Sequence, residues 1–156
     1  IDAQNAADAA NAAAAAADAA AAAADAAATA AQGAADTVAA DSSLASSGVS
    51  GLTMTATDAG ANATITISAH TRIYGDGTSV AVSGGTVTGL AYSTGFFVYY
   101  DQASRAGGAV TYQATTSAAT AAQTGDRHSL GAVTTPAGGA GPIDGNVNLP
   151  PGVVEF

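Results

Sequence analysis

The alanine run at the start of the chain leaves little choice of backbone. Twenty-six of the first forty residues are alanine, the residue with the highest intrinsic helix propensity. The stretch from Ala3 to Ala40 is broken chiefly by polar residues and Gly33. At about 1.5 Å of rise per residue, a helix of about 38 residues spans roughly 57 Å, too long to fold back into a small domain. Asp2 near its start is favourable for the helix dipole, whereas Asp36 near its end is not.

The polar residues within the run follow a period. Gln4, Asn11, Asp18, Asp25 and Gln32 fall at a spacing of seven. If that position is called f, then Asp8, Thr29 and Asp36 all fall at the neighbouring position c. Alanines occupy the opposite seam: Ala6, Ala13, Ala20, Ala27 and Ala34 at a, and Ala9, Ala16, Ala23 and Ala30 at d, with Thr37 next in line. A seven-residue repeat on a helix of about 3.6 residues per turn implies a left-handed coiled coil with a partner helix. Small seam residues let the helices approach closely. Each alanine buries little area, at about 25 cal/mol per Å2, so many heptads and the help of another domain are expected. The alternatives are a solitary alanine helix and an antifreeze rod. The rod needs threonines eleven apart, and only Thr29 and Thr37, eight apart, lie in the helical stretch.

The charge balance narrows the function classes. Twelve acidic residues face three arginines and no lysine, for a net charge of -9. Three arginines cannot form the basic surface that nucleic-acid binding needs, and the same shortage argues against anionic membrane surfaces. Cysteine is absent, which removes disulfides, thiol catalysis and cysteine-based metal sites. The run lacks the basic and bulky apolar regions of a signal peptide. Asp8, Asp18, Asp25 and Asp36 would each be costly at a bilayer centre, so no membrane insertion is expected. The chain begins at Ile1 rather than Met, which reads as a processed product or the end of a longer polypeptide.

Four regions follow from this reading: 1–41, the coiled-coil stalk; 42–51, a Ser/Gly linker; 52–135, a β-rich head; and 136–156, an irregular Gly/Pro-rich tail. In the head, LTMTAT, ATITISA, SVAVS and TVTGL alternate apolar and polar residues, as half-buried strands do. GFFVYY and AVTYQATT flank the loop Asp101–Gly108 as a hairpin with a long tip, and HSLGAVTT is the last main strand. Ser117–Ala122 suits one helical turn. Short antiparallel strands with glycine turns predict an all-β sandwich or small barrel. Large apolar residues are few, so the head must bury most of them or gain area by association, and an oligomer is expected. GFFVYY is bulky on both faces, which fits burial on both sides, a subunit interface or a sugar-stacking platform. Val153, Val154 and Phe156 could dock as a last edge strand, within the chain or on a neighbouring subunit.

Catalytic signatures are weak. Asp58, Asp76, Asp101, Asp126, Asp144 and Glu155 are the head's acids, and no spacing pairs two of them as glycoside hydrolysis requires. Asp58 and Asp76 sit in turn contexts. His70 and His128 lack a nucleophile elbow or a metal-ligand spacing, and no Gly-rich phosphate loop occurs. No catalytic residue, metal or cofactor is assigned. Arg105 lies four residues after Asp101, which suits a local ion pair or a ligand contact. If the head touches a receptor, the loop tips offer Tyr74, Asp76, Asp101 and Arg105.

The Ala-rich segment punctuated by Asp, Asn and Gln resembles helical coils in the tail fibres and tail-tip proteins of tailed bacteriophages. The stretch ITISAHTRIYGDGTSVAVSGGTVTGLAYSTGFFVYYDQASRAGGAVTYQATT, followed by TGDRHSLGAVTTPAGG, is similar to a C-terminal β-domain of phage tail proteins. The resemblance implies a homotrimer, a virion location outside the cell, an upstream tail-hub or fibre domain, and a host surface glycan or protein as receptor. A bacterial trimeric surface adhesin shares the same physics. A polysaccharide-degrading tailspike-type enzyme is the more remote alternative. The expected protein is a non-enzymatic structural component.

Overall fold

The computed structural model describes residues 2–140 and the backbone at 143–144 and 154–155. It comprises a long helix, α1 (Asp2–Ala45), and a β-rich region. The chain divides into two compact units, 1–40 and 41–156. The last turn of α1 therefore belongs to the β unit.

In the first unit every residue from 2 to 39 is exposed. The polar stripe hydrogen-bonds along its own face. The Gln4 amide donates to Asp8 at 3.3 Å, and the Gln32 amide to Asp36 at 2.7 Å. Both pairs join position f to position c four residues on, where helical side chains stand one above the other. The alanine seam is left bare.

The helix runs past the expected boundary at 41, because the serines that read as linker are drawn into the β unit. Leu44 is 1% exposed. The end of a helix leaves four carbonyls unpaired. Here the Gly75 amide donates to the Ser43 carbonyl at 2.9 Å, and the Gln123 side chain to the Leu44 carbonyl at 2.6 Å. Gly75 must be glycine on packing grounds, since a Cβ there would collide with the Ser46 side chain.

The β unit contains β1 (Gly48–Ser50), β2 (Met54–Asp58), β3 (Ala63–Ile67), β4 (His70–Ile73), β5 (Ser79–Val82), β6 (Gly85–Leu90), β7 (Gly95–Asp101) and β8 (Tyr112–Thr115). The helical turn α2 (Ala118–Ala121) follows, then β9 (Arg127–Thr134), β10 (Ile143–Asp144) and β11 (Val154–Glu155). Three small sheets result, ordered β11-β1-β4-β5, β10-β2-β3-β6 and β8-β7-β9. All pairings are antiparallel except β1 with β11, where Gly48 meets Val154 and Val49 meets Glu155. The last edge strand thus docks on this chain's own β1. Val153 and Phe156 lie outside the described residues, as does most of the 136–156 tail.

Helix followed by β-domain is as the sequence predicts. Three strands are additions, one of them β10 in the tail read as irregular. β1 lies in the stretch read as linker, and β4 occupies HTRI, which sits between the strands read from alternation.

The three sheets share one core. Val49 and Val82 come from the first, Met54, Ile65 and Ile67 from the second, and Phe96, Val98, Tyr100 and Leu130 from the third. GFFVYY is buried on both faces: Phe96, Val98, Tyr99 and Tyr100 are all interior, and Phe97 is half-buried. Among the described residues the one exposed large hydrophobic is Val38, in the helix. The few apolar residues of the head are therefore covered within the chain, and the expected need for association does not appear at its described surface.

Candidate functional site

Among the described residues the polar chemistry collects in the interior of the β unit. β4 alternates inward and outward, so His70 and Arg72 share its buried face two residues apart, and Tyr74 follows just beyond the strand. Arg72 is 0% exposed and His128, from β9, likewise. One guanidinium nitrogen of Arg72, Nη1, donates to the Ser47 hydroxyl at 3.2 Å and to the Gln123 side-chain oxygen at 3.3 Å. The other, Nη2, donates to the Ser129 carbonyl at 2.8 Å. All three acceptors are neutral.

His128 is held in one tautomer by its neighbours. Nδ1 lies 2.8 Å from the Asp126 carbonyl, which can only accept, so Nδ1 carries the proton. The Tyr74 hydroxyl, 2.8 Å from Nε2, then donates to the bare nitrogen. The His128 ring stacks on Tyr100 with centroids 4.7 Å apart and planes 6° from parallel. Burial, with the positive charge of Arg72 behind it, drives the His128 pKa down to about 4. Burial raises the Tyr74 phenol to about 12. His70 is built alike: Nδ1 faces the Ser68 carbonyl at 3.1 Å, and burial, seconded by Arg72, lowers its pKa.

The residues expected to contact a receptor are partly brought together. The Arg105 guanidinium lies 5.8 Å from the centroid of the Tyr74 ring, in cation–π range. Tyr74 itself is 4% exposed and its hydroxyl is committed to His128, so it is an interior residue. Asp76 caps its own turn, accepting from the Thr78 amide at 2.9 Å and the Thr78 hydroxyl at 2.7 Å. Those bonds hold its carboxyl below the usual carboxylate range. Asp101 pairs with Arg127 at 3.0 Å, facing it across β7 and β9, rather than with Arg105 four residues on. Arg105 adopts the left-handed region at φ 51°, uncommon outside glycine, with its side chain reaching the Gly125 carbonyl at 3.4 Å.

The long tip is not a free loop. The Gln102 side chain accepts from the Gly107 amide at 3.0 Å and donates to its carbonyl at 2.8 Å. The Gly108 amide donates to Ala81 at 2.7 Å, and the Ser83 amide to Gly108 at 2.9 Å. The tip is stitched to β5.

A second polar node joins distant turns. The Asp58 carboxylate accepts from the Tyr92 hydroxyl at 2.6 Å, the Gly60 amide at 2.7 Å and the Gly139 amide. These bonds, Tyr92 first, lower its pKa. Among the described residues no group of three or more His, Cys, Asp or Glu could hold a metal, and no helix is long and apolar enough to cross a membrane.

Sequence reasoning gave Arg72 no role and missed the strand β4 that turns it inward beside His70. The available signal was the spacing of His70, Arg72 and Tyr74, each two residues apart, which is a strand face written in polar residues. Compared with family models, with curated proteins and with solved structures, the chain finds no match.

Proposed function

We propose that the chain is a non-enzymatic structural segment of a phage tail fibre or tail tip. In this reading α1 is one strand of a parallel homotrimeric coil, and the β unit is the part presented to the host surface. The observation that carries the proposal is the bare alanine seam. Residues 2–39 are all exposed, while the polar residues at f and c bond to one another along one side of the helix. A seven-residue repeat with nothing packed on its apolar seam supports association with other copies. Three copies would also multiply weak receptor contacts by raising the effective concentration of the second and third. A trimeric bacterial surface adhesin would use the same coil in the same way.

Light scattering on the whole chain tests this. The expected mass is three times 14.6 kDa. A chain lacking residues 1–41 tests where association resides, and with the apolar residues of the β unit covered it is expected to run as a monomer. A monomeric full chain sinks the coil. A trimeric truncated chain moves the association to the β unit.

A further inference from the structure

The polar interior of the β unit holds a charge with no counter-charge. Arg72 is fully buried, and its acceptors, Ser47, Gln123 and the Ser129 carbonyl, are all neutral. Among the described residues the ion pair is the one between Asp101 and Arg127. Burying an unpaired cation is among the most costly arrangements a protein can hold. Buried polar atoms are satisfied in the great majority of cases, yet several close to Arg72 are not. Its own Nε, the Tyr100 hydroxyl, His70 Nε2 and the Ser129 hydroxyl lack a well-aligned hydrogen bond, although the Arg72 guanidinium and the Tyr100 hydroxyl interact with each other.

These groups are neighbours. His70 and Arg72 point from the same face of β4. The His70 ring centroid is 6.4 Å from that of Tyr100, and the Arg72 guanidinium carbon is 5.9 Å from the same ring. Ser129 is the residue whose carbonyl already takes one Arg72 N–H. Three of the groups are donors: one guanidinium N–H and two hydroxyls. Negative charge beside them would be stabilised by a fixed, desolvated cation.

We propose that this interior is a binding site for a small monovalent anion of the halide class, chloride being the smallest abundant one. Arg72 supplies the charge, and Tyr100 and Ser129 donate hydroxyl hydrogen bonds. A water molecule would satisfy the hydrogen bonds but leave the guanidinium uncompensated. His70 adds a linkage. With Nδ1 donating to the Ser68 carbonyl, the neutral ring leaves a lone pair at the buried Nε2, which repels a nearby anion. Protonation converts that nitrogen to a donor. The groups facing His70 are Arg72 on its own strand, Tyr100 on β7 and Tyr112 on β8, the last with ring centroids 6.4 Å apart. Arg72 opposes the proton, and the anion offsets that opposition. Halide binding is therefore coupled to protonation of His70 and is tighter at pH 5.5 than at pH 7.5.

The test uses the whole chain and its tyrosine fluorescence. Tryptophan is absent and all five tyrosines lie in the β unit, so this signal reports that unit alone. Urea unfolding is followed in sodium chloride and in sodium gluconate at equal ionic strength. Above the dissociation constant, each tenfold rise in chloride should raise the folded-to-unfolded ratio up to about tenfold, and gluconate should not. Tyr100→Phe, which keeps the ring and its stacking on His128, should weaken the chloride effect. Arg72→Met should abolish it if that variant folds. Crystals grown in bromide should show an anomalous peak beside Arg72 Nε. Equal midpoints in the two salts overturn the proposal, as does a chloride effect that Tyr100→Phe leaves intact. A site filled by water under bromide overturns it as well. A bromide peak without chloride-dependent stability would mark an adventitious ion only, and also overturns it.

Discussion

Residues 2–39 and the β unit dispose of their apolar surface in opposite ways. Residues 2–39 carry most of the chain's alanines and bury none of them. The β unit owns few large apolar side chains, and those among the described residues are buried or half-buried, with its three sheets closing on one core. Alanine makes the backbone of the first region stable by local propensity alone, so it can exist as a helix without a core. The second region has weak local preferences and exists only through long-range packing. Composition therefore misleads if read as one number. The alanine fraction speaks of exposed helix surface, and the scarce valines, isoleucines and tyrosines speak of a packed interior.

The sharpest way to break that comparison is to charge the seam. Glutamate is nearly as good a helix former as leucine or lysine, so Ala20→Glu at position a should leave the isolated helix intact. In a coil it would place like charges against one another on the axis and should abolish association. Ala22→Glu adds the same charge at the outer position c and should be tolerated. Sedimentation velocity on the two variants separates the cases. Equal behaviour would show that the seven-residue spacing does not select the contact face.

The same contrast explains what could be read from the sequence. The helix was legible because propensity and spacing are local properties. Strands such as β2 and β3 were legible because Met54, Ile65 and Ile67 alternate with threonines. β4 escaped because its inward side chains are His70 and Arg72, and apolar alternation cannot register a polar face turned to the core. β1 escaped as three residues inside a Ser/Gly stretch, pinned only by its neighbours. The Tyr74–His128 bond joins residues 54 apart in sequence, and no spacing rule brings them together. Tyr74 and Arg105 were picked as loop-tip contacts, and they do meet, but the encounter is half interior. Burial is a tertiary fact that a turn context does not reveal.

Acid should separate the two regions. His128 is neutral in the folded β unit with a pKa of about 4, against about 6.5 in an unfolded chain. The unfolded state therefore binds the proton first, and stability falls as the pH drops through the window from about 6.5 to about 4. The loss reaches at most about 3.5 kcal/mol, taking about 1.4 kcal/mol per unit of pKa difference. The lowered pKa of His70 adds in the same direction. Asp58 and Asp76, whose pKa values are depressed, lose their contributions only below this window. Urea midpoints from tyrosine fluorescence at pH 7.5, 6.0 and 4.5 should decline, while the helical signal contributed by residues 2–39 has no histidine to respond. His128→Phe should flatten the decline. A wild-type midpoint unchanged between pH 7.5 and 4.5 would contradict the buried neutral histidine.

A smaller effect is expected where one bond is removed from the same interior. Tyr74→Phe leaves His128 Nε2 buried without a donor, at a cost of about 1–3 kcal/mol for an unsatisfied buried acceptor. The ring remains to stack edge-on against His128, with centroids now 5.8 Å apart. The midpoint by near-ultraviolet circular dichroism should fall without a change in slope. No fall would mean that Nε2 finds another donor once the phenol is gone.

The least consequential change should be at the surface. Asp101 and Arg127 pair at 3.0 Å, but their side chains are 40% and 29% exposed, so solvent and salt screen the attraction. Arg127 also keeps two other contacts when the carboxylate is neutralised: the Thr120 carbonyl and the face of Tyr99, 4.5 Å from its guanidinium carbon to the ring centroid. Asp101→Asn should therefore cost under about 1 kcal/mol, and less in 0.5 M salt than in 0.05 M. The Gln113 amide, 3.3 Å from the carboxylate, can donate equally to the new amide oxygen. A loss as large as that of Tyr74→Phe, or one insensitive to salt, would show that this pair belongs energetically to the interior. The line between a closed β core and its solvated rim would then have to be redrawn to include the start of the long loop.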